Sequence, residues 1–369
     1  MKKLKVLVVG QTPPPYHGQA IMIQRLLSGH YNSVELYHVR MAFSRSIEEI
    51  GKIKFYKVLE LLKVIINITR STIRHRPDIL LYHPGANLWS VLRDIVILIS
   101  TKWMFPKVVL AFRAGGLGDF YRKASPFLRF VMRLVYFNPD AAIHLSNFSP
   151  PDGQTIRARR IFVVPNGLED VFQEYTSYYV KNSPPVILFI GALYRSKGIF
   201  DLLEAVRILK LKGLEFQVRV IGDGPTQVVE LVNKMIAEYH LENFVSLAGI
   251  KTGKEKWKEL AAGDIFCFPT YYEFENLSVA VLEAMMFSLP IVATNWRGNS
   301  FMVRDGENGF LVPIRSTGIL AEKLKLLIED PDLRSRMGTK SRERFLEQFT
   351  IDRFYKEMEK VFILTGFGE

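Results

Sequence analysis

The amino-acid sequence predicts an α/β protein that contains two doubly wound domains with parallel sheets. Short runs of β-branched and apolar residues alternate with longer amphipathic segments, which is typical of βαβ units. The length of 369 residues suffices for two domains of ordinary size. A "PNG" turn signal, an aperiodic stretch and a double proline interrupt the alternation between Asn166 and Pro185, which indicates the domain boundary.

Strand candidates and helical periods follow one another in both halves of the chain. The first half offers the strands LKVLVV, SVELYHV, DILLYH, KVVLAF, AAIHLS and RIFVVP. The second half offers PVILFIG, FQVRVIG, FVSLAG, DIFCFPT and PIVATN. The final helical segment, TIDRFYKEMEKVFILTG, follows a complete second domain, so we expect it to cross back to the first. We therefore assign residues 1–170 and 350–369 to the first domain and 171–349 to the second.

The amino-acid composition restricts which kinds of partner molecule and which cellular compartment we expect for this protein. The formal net charge of +12 favours a polyanionic partner, which is a nucleic acid, an anionic membrane or a phosphorylated substrate. Cys267 is the only cysteine, so an intrachain disulfide and a cysteine metal cluster are excluded, which fits a reducing compartment. The short apolar run after the first lysines predicts a strand rather than a signal peptide. We find no run of about 20 apolar residues that would predict a membrane span.

Two loops of the first domain are candidate binding sites, because ligands of open α/β sheets bind beyond the carboxyl ends of the strands. The loop QTPPPYHGQA, with His17 and Gly18, leads from the first strand into a helix and can offer amides to a phosphate or sugar. In LAFRAGGLGDFY, Arg113 ends a strand and can meet an anion or a hydroxyl group. The alternative for both is an ordinary βα loop.

A third loop opens the second domain. In FIGALYRSKGIFDLL, Arg195 and Lys197 stand just before a helix, which favours a diphosphate site. The order of residues is not that of a Walker loop, and solvated loop charges are the alternative. The nearby VIGDGP lacks the third glycine of a dinucleotide fingerprint, so we interpret it as a tight turn.

The stretch EFENLSVAVLEAM contains two carboxylates in apolar surroundings. It predicts a helix that begins near Asn276–Ser278 and ends near Phe287, because Pro290 stops it. Glu275 then precedes the helix, and Glu283 lies roughly 9–12 Å further along the axis. A buried carboxylate needs a partner. A hydroxylated ligand beside the free amides of the helix start is one candidate, and a cap glutamate plus a lysine-paired glutamate is the other.

Together these segments resemble the retaining glycosyltransferases of the GT-B fold, in the glycosyl transferases group 1 family (family 4 type). The resemblance covers essentially the whole chain and is strongest from Val186 to Pro313. Glu275 and Glu283, with seven residues between them, form its most specific motif. The other carriers are VVPNG, ILFIGALYRSKGIFDLLEAV, VIGDGP, AAGDIFCFPTYY, SLPIVATN and DGENGFLV. The resemblance implies two Rossmann-like domains that face each other across a cleft.

The resemblance also implies a UDP-, GDP- or ADP-sugar donor that is held mainly by the second domain, without a metal or other cofactor. Glu283 would bind the ribose and Glu275 the transferred sugar, while Lys197 and Arg195 would neutralise the departing diphosphate. Arg113 would act in catalysis from the first domain, near the acceptor. The remaining implied donor contacts are Asn276, Leu277, Ser278, Gly249, Ile250, Lys251, Gly18 and His17.

Four positions depart from the family pattern. Ala192 stands where an arginine often follows the glycine, and Arg195 is the candidate substitute. Arg113 stands where a histidine is common, Phe301 where an acidic residue is usual, and His17–Gly18 where a glycine pair is usual. The departures at Ala192, Arg113 and Phe301 leave open a non-catalytic partner subunit that keeps the fold. A nucleotide-sugar epimerase on the same fold is a second alternative, against which the glutamate pair and the basic helices argue.

Two basic, apolar segments favour a membrane surface as the polyanionic partner. Lys52, Lys54, Lys57 and Lys63 accompany apolar residues at helical spacing, and YRKASPFLRFVMRLVYF adds further cations. Packed helices with solvated cations are the alternative. No nucleic-acid-binding motif is recognisable. We expect a cytoplasmic, peripheral protein on the inner face of the cell membrane, with a lipid-linked or membrane-associated glycan acceptor in bacterial surface polysaccharide synthesis.

Overall fold

The computed structural model describes residues 3–14, 18–43, 56–179 and 182–367. The chain divides into two compact units, one comprising Met1–Gly167 with Asp352–Glu369 and the other Leu168–Ile351. The division falls at residue 167, close to the boundary at residue 170 that the sequence indicates. Each unit is described by itself below.

The first unit contains, within the described ranges, a six-stranded parallel sheet of order β2-β1-β3-β4-β5-β6. Its strands coincide with the predicted segments, and its inner strands are buried on both faces, which explains their nearly continuous apolar sequences. The strands are β1 Leu4–Gly10, β2 Val34–Arg40, β3 Ile79–Tyr82, β4 Lys107–Ala111, β5 Ala141–His144 and β6 Arg160–Val163.

Helices connect these strands, and local signals define several of their ends. The Asn87 side chain accepts a hydrogen bond from the Ser90 amide at the start of one helix, and Ser125 with Pro126 begins another. The helices are α1 Gly18–Ser28, α2 Tyr56–His75, α3 Leu88–Thr101, α4 Leu117–Lys123, α5 Pro126–Tyr136 and α6 Asp152–Thr155, with a 3₁₀ turn at Lys102–Met104 after α3.

The second unit contains a parallel sheet of order β12-β11-β10-β7-β8-β9 in the part of the chain that is described. The strands are β7 Val186–Ile190, β8 Gln217–Ile221, β9 Val245–Leu247, β10 Ile265–Phe268, β11 Ile291–Thr294 and β12 Gly309–Val312. Five of them match predicted strands, whereas β12 was not among the strand candidates. The helices are α7 Ile199–Leu211, α8 Thr226–Glu238, α9 Gly253–Ala261, α10 Val279–Met286, α11 Asn299–Met302, α12 Thr317–Glu329 and α13 Pro331–Gln348.

The last helix, α14 Ile351–Phe367, packs on the first unit, as the sequence predicts for the final segment. The Ser33 amide donates a hydrogen bond to the Glu359 carboxylate at 2.6 Å. The Arg160 guanidinium donates to the Leu364 carbonyl at 2.5 Å. These contacts join the end of the chain to strands near both edges of the first sheet.

Each sheet has a point where the strand order reverses direction. In the first sheet β1 lies between β2 and β3, and in the second β7 lies between β8 and β10. Beyond the loops at the carboxyl ends of β1 and β3, and of β7 and β10, the chain therefore continues in opposite directions along the sheet. Such a reversal leaves a crevice at the carboxyl edge, which is the usual ligand site of open α/β sheets.

Candidate functional site

The loops after β7 and β10 meet at the reversal point of the second sheet. Gly198 has φ +81°, and a Cβ atom there would lie 2.2 Å from the Pro269 carbonyl oxygen. The Tyr271 amide donates a hydrogen bond to the Ser196 carbonyl at 2.7 Å. Only glycine permits this approach, because any side chain would collide with the backbone of the other loop. The contact brings the residues around Lys197 beside the residues that precede α10.

Lys197 and Glu275 form an ion pair across these two loops. Their side chains are 17% and 12% exposed, so the pair is largely shielded from water. The Lys197 ammonium lies 4.7 Å from the centre of the Tyr272 ring. Burial, followed by the Glu275 carboxylate, raises the pKa of the Tyr272 hydroxyl. A cation, a carboxylate and a neutral phenol therefore share the carboxyl edge of this sheet.

Arg195 lies beside this pair. Arg195 and Lys197 begin and end a 3₁₀ turn that leads directly into α7, so both cations stand at the positive end of a helix. The Arg195 guanidinium lies 4.7 Å from the centre of the Phe200 ring and is exposed. Ala192 precedes the turn and contributes no charge. The local arrangement is suited to an anion, as the sequence predicts.

The helix after Glu275 runs from Val279 to Met286, which confirms the predicted bounds within a residue or two. Asn276 and Ser278 are buried in the turn before it. In the first turn of a helix the N–H groups have no intrahelical acceptor. Donors are thus concentrated next to Glu275.

Glu283 is buried inside α10 with only 3% of its surface exposed. Its Oε1 atom accepts a hydrogen bond from the Lys256 Nζ atom of α9 at 2.6 Å. Lys256 lies 4.7 Å from the centre of the Trp257 ring. The lysine partner, one of the two readings that the sequence left open, is therefore present, and the ribose contact stays a prediction.

Backbone contacts hold the next two loops of this sheet together. The Gly222 amide donates to the Gly249 carbonyl at 2.8 Å. Gly222 has φ +144°, and a Cβ atom there would lie 1.9 Å from the Gly191 carbonyl oxygen. The VIGDGP segment thus serves as a close-packed turn between β8 and α8. Beside it, Ile250 is exposed and the Lys251 ammonium pairs with Glu259.

Phe301, where the family usually has an acidic residue, has an apolar environment. Its ring meets the ring of Phe349 edge to face at 5.8 Å. Its carbonyl accepts a hydrogen bond from the Arg344 guanidinium. The position therefore contributes packing and a backbone acceptor to the second unit.

In the first unit, Arg113 follows β4 and is buried. Its Nη1 atom donates to the Asn166 Oδ1 atom at 2.6 Å, and its guanidinium lies 5.1 Å from the centre of the Phe354 ring. Within the described residues its Nε and Nη2 atoms have no hydrogen-bond partner. Burial lowers the pKa of Arg113 to about 10, so the group remains a cation at neutral pH. A buried guanidinium with two unsatisfied nitrogen atoms attracts an anionic or hydroxylated group.

His83 is a candidate that the sequence interpretation missed. It follows β3, and a Cβ atom at Gly10 would lie 3.1 Å from its ring, so it stands at the reversal point of the first sheet. Neither ring nitrogen makes a hydrogen bond among the described residues. Burial, followed by the Arg113 guanidinium, lowers the pKa of His83 to about 3, which leaves it neutral at pH 7. A polar residue at the end of a predicted strand, the last residue of DILLYH, was the available signal.

The glycine loop after Arg113 is held by a carboxylate. The Asp152 side chain accepts hydrogen bonds from the amides of Gly116 and Gly118 at 2.9 and 2.7 Å. Gly116 has φ +112°, a conformation that favours glycine. Of the earlier loop, Gly18 begins α1 and is exposed, and His17 lies outside the described residues.

The described residues provide neither a candidate metal site nor an exposed cysteine thiol. They contain no group of three or more histidine, cysteine, aspartate or glutamate side chains that could hold a metal ion. Cys267 lies in the core of the second sheet, and burial raises the pKa of its thiol.

Comparison with known protein families identifies the family of the segment that contains the Lys197–Glu275 pair. Residues 174–344 match the family described as glycosyl transferases group 1. This segment is a group 1 glycosyltransferase domain. It covers most of the second unit, including the Lys197–Glu275 pair and α10.

Curated relatives of the group 1 domain include two bacterial transferases. The α-D-kanosaminyltransferase of Streptomyces kanamyceticus is 29% identical over 45% of this chain and 42% of its own. The putative colanic acid biosynthesis glycosyltransferase WcaL of Salmonella typhimurium is 30% identical over the same shares. The match thus spans less than half the length of these relatives.

Solved structures match nearly the whole chain and show the GT-B fold predicted from the sequence. The sucrose-phosphate synthase of Thermosynechococcus elongatus aligns with a TM-score of 0.73 at 16% identity, over 98% of both chains. Anabaena HepE in complex with UDP aligns with a TM-score of 0.72 at 15% identity, over 97% of this chain and 99% of its own. Likeness at such low identity concerns the fold alone.

Proposed function

We propose that this protein is a retaining glycosyltransferase. It moves a sugar from a nucleotide-diphosphate sugar to a lipid-linked or membrane-associated glycan acceptor in bacterial surface polysaccharide or glycoconjugate synthesis. The observation that carries the proposal is the shielded Lys197–Glu275 pair, which stands beside the N-terminus of α10 at the reversal point of the second sheet. The group 1 domain and the colanic acid biosynthesis that the name of WcaL states support it.

The nucleotide-sugar donor would contact both charged groups of the Lys197–Glu275 pair. The Lys197 ammonium would bind the diphosphate, with Arg195 beside it, and stabilise the negative charge that grows as the bond to the sugar breaks. The Glu275 carboxylate would accept hydrogen bonds from sugar hydroxyl groups. Glu283 would share its buried carboxylate between Lys256 and the ribose. HepE, a fold neighbour, was solved with UDP. This supports a nucleoside-diphosphate sugar as the donor, with uridine, guanosine or adenosine as the nucleoside.

The reaction would be a substitution on one face of the sugar. The bond between the anomeric carbon and the phosphate oxygen breaks, and the acceptor oxygen bonds to that carbon from the same side. The acceptor proton passes to the departing phosphate. A double displacement would need two carboxyl groups about 5 Å apart. Glu275 precedes α10 and Glu283 lies inside it, roughly 9–12 Å further along the axis, which argues against that route.

The acceptor would contact the first unit, where Arg113 and His83 leave buried donors without partners in the described part of the chain. Basic helices on the same unit support a peripheral location on the inner face of the cell membrane. The sequence analysis based this location on four lysines of one segment. Lys57 and Lys63 lie on α2, whereas Lys52 and Lys54 lie outside the described residues. No metal or other cofactor is required in this scheme.

The decisive experiment first identifies the nucleotide-sugar donor that binds and then measures its transfer or hydrolysis. A thermal-shift screen of UDP-, GDP- and ADP-sugars identifies the donor, since a ligand at 100 times its Kd stabilises the fold by about 2.7 kcal/mol. Glu275→Ala should lower transfer or donor hydrolysis by at least about 100-fold, because an electrostatic contact to the reacting group is lost. Glu343→Ala removes an exposed, lysine-paired carboxylate and serves as the matched control.

Other results of these assays would contradict the proposal or support one of the alternative functions. Full turnover by Glu275→Ala would overturn the assigned role. Donor binding without transfer or hydrolysis by the wild type would indicate a non-catalytic subunit, and conversion of the donor to its epimer would indicate an epimerase. An anomeric NMR signal of inverted configuration in the product would exclude the retaining mechanism.

A further inference from the structure

Helix α3 carries an exposed apolar stripe that neither the fold nor the proposed site uses. The stripe continues into the 3₁₀ turn after the helix, where Trp103 is 77% exposed. The outward side of a surface helix is normally polar. The charged residues of α3 are Arg93 and the fully buried Asp94, which pair with each other at 2.7 Å. The exposed members of the stripe are Leu88, Trp89, Leu92, Val96, Ile99 and Trp103.

Both neighbouring helices extend this apolar surface. α3 packs against both α2 and α5. We call the combined surface the three-helix face. Its further exposed members are Val58, Leu59, Leu62, Ile66 and Ile73 of α2 and Phe127, Phe130 and Leu134 of α5. Exposed apolar side chains in this number on helices that pack against each other mark an interaction site.

The charges on the three-helix face are almost all positive. Apart from the buried Asp94, the only acidic residue that α2, α3 and α5 contain is Glu60, which pairs with Lys63. Exposed cations of these helices are Lys63, Arg70, Arg74 and Arg133. Apolar side chains bordered by cations complement a surface of anionic headgroups over acyl chains. A second copy of the same face would instead bring like charges together.

The dimensions of α3 fit insertion along a membrane surface. Its 14 residues are about 21 Å long, which is shorter than the roughly 30 Å of a bilayer core. No helix among the described residues has the length and hydropathy needed to span a membrane. Trp89 and Trp103 stand near the two ends of the stripe, and tryptophan prefers the interface between headgroups and acyl chains.

We propose that the three-helix face docks this protein on an anionic membrane, with α3 and its 3₁₀ turn entering the headgroup–acyl boundary. The cations of α2 and α5 contact headgroup phosphates. The proposal rests on the proposed function for the idea that the acceptor is membrane-bound. Lipid binding itself requires no transfer reaction, so the two can fail separately.

Vesicle sedimentation of the full chain tests the proposal. We expect binding to phosphatidylcholine vesicles that contain about one third phosphatidylglycerol, weaker binding to phosphatidylcholine alone, and loss of binding as salt increases. Ile99→Ser combined with Trp103→Ser should lower vesicle affinity by at least about tenfold. Leu211→Ser alters a 73% exposed side chain of the second unit and should bind like wild type. Brominated acyl chains should quench wild-type tryptophan fluorescence more than that of Trp103→Phe.

Specific results would overturn the proposal. These are no binding to anionic vesicles, equal binding by the Ile99/Trp103 double variant, or a concentration-dependent dimer that the double variant abolishes. The last result would assign the face to a second copy of the chain. Donor hydrolysis by the double variant in the absence of vesicles should equal that of wild type. Binding of the wild type to anionic vesicles without any donor hydrolysis or transfer would count against the proposed function and not against the docking surface.

Discussion

Replacement of Lys256 by methionine tests the physical account of Glu283 most directly. The variant removes the ammonium 2.6 Å from a carboxylate that is almost fully buried. At an effective dielectric constant of about 20, the attraction across that distance is about 6 kcal/mol before the cost of desolvation. Removal of one partner from a buried pair typically costs 3–5 kcal/mol. Because the Lys256 side chain is 18% exposed, we expect a loss of about 3 kcal/mol in the free energy of unfolding.

Urea denaturation followed by tryptophan fluorescence measures this loss. Trp257 adjoins the pair and stacks on Phe287, so it reports on unfolding of the second unit. Lys340→Met breaks an exposed pair and should change stability by less than about 0.5 kcal/mol. Lys256→Met combined with Glu283→Leu should regain at least about 1 kcal/mol, because the uncompensated charge is gone.

Donor binding separates the structural role of this pair from its ligand role. Lys256→Met keeps the carboxylate, so the folded variant should still bind the donor. The double variant lacks the proposed ribose acceptor, so it should bind the donor at least about tenfold more weakly despite its better stability. A Lys256→Met protein within 0.5 kcal/mol of wild type, or a double variant no more stable than the single one, would refute the reasoning.

Two further substitutions test how the backbone positions the candidate residues. Gly298→Ala places a Cβ atom 1.9 Å from the Asn276 carbonyl oxygen, so donor turnover should fall by at least about tenfold, while Gly318→Ala, which has open space, should retain it. Equal turnover in both variants would show that this turn does not position the site. Asp152→Ala removes the acceptor of two amides in the 115–118 loop and should lower the free energy of unfolding by about 2–3 kcal/mol in urea titration. A change below about 0.5 kcal/mol would contradict the anchoring role.

Much of the fold follows from local patterns. The alternation of apolar runs and amphipathic segments predicted two parallel sheets, and eleven strand candidates match strands of the structure. The short strand β12 was not among them, because its four residues begin with Gly309 and offer too little periodicity. Cap residues and Pro290 were sufficient to set the bounds of α10, and hence the positions of Glu275 outside it and Glu283 inside it.

Long-range contacts decided the rest of the candidate site. The partner of Glu275 lies 78 residues away in the sequence, and that of Glu283 lies 27 residues away. Several lysines were equally available to each glutamate until the strand order placed β7 beside β10 and α9 beside α10. His83 gained its significance in the same way, because only the sheet brings it next to Gly10 and Arg113.

The sequence by itself determined the two α/β domains, the carboxylates of the motif and the basic, apolar character of α2 and α5. Only the tertiary structure decided which lysine pairs with each glutamate, and that α3 packs against α2 and α5 while it exposes an apolar stripe. Periodicity records how a segment prefers to bury one side. It does not record which distant segment covers that side, because this depends on sheet order and packing over the whole unit.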